Sequence, residues 1–152
     1  MNAAAAPGRA RLLALVLVFS AVADLGGGLW AVFDWQGVSA FMARAVPDWQ
    51  AVGRAARHGI ESEALGQLWA NLGAALVALG AAQALAAWWV RQGRPEGFVM
   101  ARLVGWTLIV ASALMAGPGG QVSSLVTEGA RGVAILGLAI WAAPRERSSP
   151  GA

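Results

Sequence analysis

The sequence predicts an all-α fold, an integral membrane up-down four-helix bundle with a short amphipathic helical region in its first outer loop. Three observations predict it. Four apolar stretches each run about 20 residues, the length that crosses a hydrocarbon core. Hydrophobic residues make up 58% of the 152-residue chain against 12% charged, with a mean hydropathy of +0.59, outside the range of soluble domains. The basic residues sit in ones and twos at the ends of the apolar stretches, the positive-inside pattern of a bilayer protein. An isoelectric point near 11.3 therefore reads as topology and not as a nucleic-acid surface, since no basic patch forms.

Residues 1–11 are small, basic and Pro- and Gly-containing, a cytoplasmic tail. The first span, 12–33, is interrupted by Asp24. Arg9 and Arg11, the apolar run from Leu12 to Phe19 and Ala21-Val22-Ala23 also fit a signal peptide cleaved after Ala23. The apolar character continues through Leu29, Trp30 and Phe33, as a spanning helix requires. Residues 34–63 form the one long outer loop, where Asp34-Trp35-Gln36-Gly37-Val38 returns as Asp48-Trp49-Gln50-Ala51-Val52. Each Asp is placed to cap a short helix. Val38, Phe41, Met42 and Ala45 give the first an apolar face, and Trp49, Val52 and Ala56 give the second one. Such helices lie on the membrane surface or pack as a lid on the bundle.

The second span, 64–90, carries Gly66, Gly73 and Gly80 at heptad spacing, a stripe of small residues that lets helix backbones approach closely. A basic turn ending in Gly93 and Pro95 leads to the third span, 98–116, with Arg102 reaching back to the interface. Gly117-Pro118-Gly119-Gly120 turns the chain, Ser123 or Ser124 caps the fourth span, 121–142, and residues 144–152 are a second cytoplasmic tail. Residues 12–143 thus form a single membrane domain. Arg9, Arg11, Arg91, Arg94, Arg102, Arg145 and Arg147 fall on one side and Arg44, Arg54 and Arg57 on the other, which places both termini in the cytoplasm, with the chain expected in the inner (plasma) membrane. Trp30, Trp35, Trp49 and Trp69 mark the outer boundary; Trp88, Trp89, Trp106 and Trp141 mark the inner one.

Charges inside the spans need partners. Asp24 is thirteen residues from Arg11, Arg131 fourteen from Arg145 and Glu128 seventeen, which gives depths of about 20, 21 and 26 Å. Asp24 and Arg131 share a level, so they are expected to pair, with Glu128 one turn outward as a second carboxylate. The trio is either a staple fixing helix register or a polar pocket or proton-accepting site open to the outer side. Asn71 and Gln67 are expected at its mouth. Gln83, Thr107 and Ser112 are expected to bond backbone or cross-helix partners. Gly26-Gly27-Gly28 reads as a close-contact or bend site.

No catalytic residue, metal or cofactor is expected. The chain has no Cys and no Lys, which removes thiolate chemistry, Cys-ligated metals and Schiff bases, and its single His58 lies outside every span. The expected partners are the lipid bilayer, a membrane-protein partner or a second copy as homo-oligomer, and a small apolar ligand; nucleic acid is not among them. The run from Glu63 to Gly80, an acid before a glycine-rich second helix, together with the length and the four short spans, resembles small DoxX-like four-helix bacterial membrane proteins. That resemblance implies an accessory membrane component, and the stripe of Gly66, Gly73 and Gly80 independently points to a non-enzymatic protein that packs on a partner or on itself. The alternative is a small-molecule-binding or proton-coupled protein using Asp24, Glu128 and Arg131.

Overall fold

A computed structural model describes residues 7–45, 62–115 and 125–144. The second loop helix, His58, the Gly117–Gly120 turn, the Ser123 and Ser124 cap and the C-terminal tail lie outside them. Apart from Asp34, the turn at residues 92–94 and residues 143–144, the described residues are helical: α1 (Pro7–Phe33), α2 (Trp35–Ala45), α3 (Ser62–Arg91), α4 (Pro95–Met115), then a π-helical turn (Leu125–Gly129) running directly into α5 (Ala130–Ala142). Among them α1, α3 and α4 are long and apolar enough to cross a membrane. The expected tail is shorter than the sequence suggests, because α1 begins at Pro7, whose fixed φ suits a first helical turn and whose missing N–H costs nothing there.

α1 packs on α3, α3 on α4, α4 on α5 and α5 back on α1. The pairing partners fall in descending order, so neighbours run antiparallel: Gly28 meets Gly73 while Ala21 and Leu25 meet Gly80, and Gly105 meets Gly132 and Leu136. Two close approaches set the spacing. A Cβ on Gly28 would stand 2.6 Å from the Gly73 carbonyl oxygen, and one on Gly132 would stand 2.7 Å from that of Gly105. Only hydrogen fits at either crossing. The heptad stripe is therefore covered within the chain, by α1 at Gly73 and Gly80 and by the Trp35 indole at Gly66. Of the glycine triplet in α1, Gly28 makes the contact, whereas Gly26 and Gly27 face open space.

The interior toward the α3–α4 turn, here the Gly93 end, is apolar, built on Leu13, Leu17, Val90, Phe98, Val104 and Ile135. At that end Arg9 lies over the Trp141 ring at 4.4 Å and Arg94 over Trp89 at 5.1 Å. Trp106 does not join this belt. It follows Gly105, which meets Gly132 and Leu136 in mid-bundle, and its ring faces outward halfway along α4.

At the opposite, Asp34 end, Asp34 accepts from the Gly37 amide at 3.0 Å and from the Trp30 indole at 3.2 Å. This is the N-cap the sequence predicts. α2 then folds back, burying Val38 beside Ala31 and Trp69, with Met42, Leu65 and Leu72 packed around them. It behaves as a lid on the helix ends. The outer surface keeps large apolar side chains exposed, among them Leu15, Phe19, Val22, Leu103 and Leu114, a surface suited to hydrocarbon and costly in water.

Candidate functional site

Asp24 sits in the middle of α1 on the face turned to α3 and α5, and only 5% of its surface is exposed. Arg131, in the first turn of α5, closes on it as a fork: Nη1 lies 2.8 Å from Oδ1 and Nη2 donates to Oδ2 at 3.1 Å. Two parallel contacts fix both the distance and the plane of the carboxylate. α3 supplies a third, since Gln83 Nε2 donates to Asp24 Oδ2 at 2.7 Å. The depth count thus agrees with the contact, because helices of equal rise packed antiparallel keep residues of equal depth side by side.

Glu128 occupies the π-helical turn, three residues before Arg131, and its Oε2 touches Arg131 Nη2 at 2.5 Å. Its side chain is 40% exposed, against 20% for Arg131 and 6% for Asp24. The two carboxylates are therefore unequal. Asp24 is enclosed and held by three nitrogens, whereas Glu128 stands at the margin with one. A π turn widens the helix by one residue and is often found at functional positions; here it carries the more exposed carboxylate of the pair.

Gln67 and Asn71, expected at the mouth, do not contact Asp24 or Arg131. Gln67 Nε2 donates to Asn71 Oδ1 at 3.0 Å, and both are exposed. Asn71 is twelve residues from Gln83 along α3, about 18 Å, so a straight helix cannot bring it to Asp24. Thr107 and Ser112 donate to backbone oxygens of Leu103 and Ile109 at 2.9 and 2.8 Å, the local bonding expected of them. Gln83 is the residue whose importance exceeds its sequence reading. Its signal was present: it lies three residues beyond Gly80, on the stripe that faces α1.

Ser20 is a further buried polar residue the sequence reading passes over. It precedes Asp24 by one helical turn and is 2% exposed. Its Oγ has no hydrogen-bond partner, and neither does Gln83 Oε1 or Arg131 Nε. Unpaired buried polar atoms cost free energy and call for water or a ligand. Among the described residues no group of three His, Cys, Asp or Glu side chains could hold a metal ion. Comparison with protein-family models finds no match, and comparisons with curated proteins and with solved structures likewise find none.

Proposed function

We propose that the chain is a four-span inner-membrane protein with both termini in the cytoplasm. It is non-enzymatic, and its intramembrane centre, Asp24, Gln83, Arg131 and Glu128, takes up a small ligand or a proton from the outer side. The supporting observation is the inequality of the two carboxylates on one guanidinium. A staple needs one acid and one base, already satisfied by the fork between Asp24 and Arg131. Glu128 adds a second acid, half-open to the surroundings, and a surplus charge at membrane depth is costly unless it is used. For α5 to be the fourth span, the run from Leu125 to Ala142 supplies about 27 Å.

Stability separates the working centre from the staple. Glu128→Gln is expected to leave the melting midpoint unchanged or higher, because it removes a surplus charge and keeps the shape, while Asp24→Asn lowers it strongly. Thermal unfolding of the purified proteins in detergent reads both. A large loss of stability in Glu128→Gln, comparable to that of Asp24→Asn, would make Glu128 structural and overturn the proposal. The DoxX-like resemblance favours an accessory-subunit role instead; such a role would have to use a face other than the Gly66, Gly73 and Gly80 stripe, which this chain itself covers.

A further inference from the structure

We infer that the polar centre is a one-sided receptacle for a small hydrogen-bond-donating cation of the ammonium class, entered from the Asp34 end and closed toward the Gly93 end. The inference rests on the proposed role of Glu128 and adds to it the ligand's charge, its hydrogen-bonding character and its route.

Charge comes first. Among the described residues one guanidinium meets two carboxylates there, and the fork to Asp24 leaves Glu128 as the acid with the least compensation. A cationic guest balances the centre; an anionic one would face two acids across a single Arg131.

The hydrogen-bonding inventory then selects among cations. Gln83 is fully buried, and because its Nε2 is committed to Asp24, its Oε1 lies beside that carboxylate with nothing donating to it. Glu128 is an acceptor too, and Ser20 Oγ, one turn deeper, is also unpartnered. A guest meeting these oxygens must donate. An ammonium nitrogen does so, directly or through one water, whereas a quaternary ammonium has no N–H to offer. A bare metal ion needs several ligating side chains gathered around one point, and among the described residues no group of three His, Cys, Asp or Glu could hold one. The orphan donor, Arg131 Nε, asks for an acceptor, which a water retained by the guest supplies.

Closure follows from what lies beneath. Toward the Gly93 end the interior passes into Leu13, Leu17, Val90 and Ile135, all essentially without exposure. The one charged side chain among the described residues between the centre and the α3–α4 turn is Arg102, half-buried and cationic. An apolar plug beside a positive charge stops a cation, so the centre binds without conducting.

Two measurements test this. The purified protein is melted in methylammonium, tetramethylammonium or sodium chloride at equal ionic strength. Methylammonium is expected to raise the midpoint by about 2 to 4 °C at roughly five times its Kd, the other two salts are not, and Glu128→Gln is expected to lose the effect. Equal shifts from tetramethylammonium or sodium, an undiminished shift in Glu128→Gln, or no shift at all would overturn the ammonium assignment. Because the chain has no Cys, single cysteines report the route in sealed, oriented vesicles treated with a membrane-impermeant cationic thiosulfonate. Glu128→Cys is expected to react from the Asp34 side alone, and Leu17→Cys from neither side. Reaction of Leu17→Cys, or of Glu128→Cys from the Gly93 side, would overturn the closed end; failure of Glu128→Cys to react at all would overturn the entry. The stability of Glu128→Gln without salt decides the underlying role of Glu128 separately, so failure of the ammonium assignment is distinguishable from failure of that role.

Discussion

Three nitrogens hold Asp24 and one touches Glu128, and the cost of each substitution follows from that difference. Removing one partner of a buried, bidentate pair strands the other charge, so Asp24→Asn and Arg131→Ala are expected to cost about 3 to 5 kcal/mol, read by chemical or thermal unfolding in detergent. Gln83→Leu takes away one donor from Asp24 but also removes the orphan Oε1. Its cost is therefore expected near the low end of the range for a lost buried hydrogen bond, about 1 kcal/mol. A loss in Gln83→Leu as large as that in Arg131→Ala would show that α3, and not α5, is the main support of Asp24. At this scale the sequence is informative about which residues are out of place and says less about what meets them. Asp24, Glu128 and Arg131 are conspicuous because charge is rare in apolar stretches. Gln83 and Ser20 are not, because uncharged polar residues in spans are usually satisfied by their own helix, as Thr107 and Ser112 are.

Among the elements, α1 and α3 form the tightest pair, and the reason is the absence of side chains at their crossing. Leu in place of Gly73 would meet the Gly28 carbonyl and the side chains of Val32 and Ala31, so the helices must part. Overpacking of this kind is expected to cost about 1 to 3 kcal/mol or more. The matching experiment compares Gly73→Leu with Gly26→Ala, which faces open space and should be neutral or slightly stabilising, since Ala favours helix over Gly. Equal losses in both would argue against the crossing. At the Asp34 end, Asp34→Ala removes the cap of α2 and is expected to loosen the lid by about 1 kcal/mol, visible as faster amide exchange over Trp35–Ala45 with little change in α3. The glycine stripe was legible in the sequence, but its partner was not: small residues announce close packing without saying whether the other helix belongs to the same chain.

For the molecule as a whole, the ring of packed helices places Gly8 and Gly93 at one end and Arg44 at the other, as the contacts of Arg9 with Trp141 and of Asp34 with α2 indicate. Cysteines introduced at Gly8 and Gly93 are expected to label from the same side of a vesicle, and one at Arg44 from the opposite side. Labelling of Gly8→Cys and Arg44→Cys from one side would contradict α1 as a span.

By itself the sequence determined the all-helical fold, three of its four expected spans as helices long and apolar enough to cross a membrane, and the level at which Asp24 and Arg131 lie. These depend on hydropathy, length and a constant rise per residue, all of which are local. The tertiary structure decided that α1 covers the Gly66, Gly73 and Gly80 stripe, and that Gln83 completes the hold on Asp24. It also decided that Gln67 and Asn71 bond each other on the exposed side of α3 and do not touch Asp24, and that Glu128 is the more open acid. Each of these depends on which faces of two helices meet, and that is set by the close fit of Gly28 on Gly73 and of Gly105 on Gly132, between residues distant along the chain.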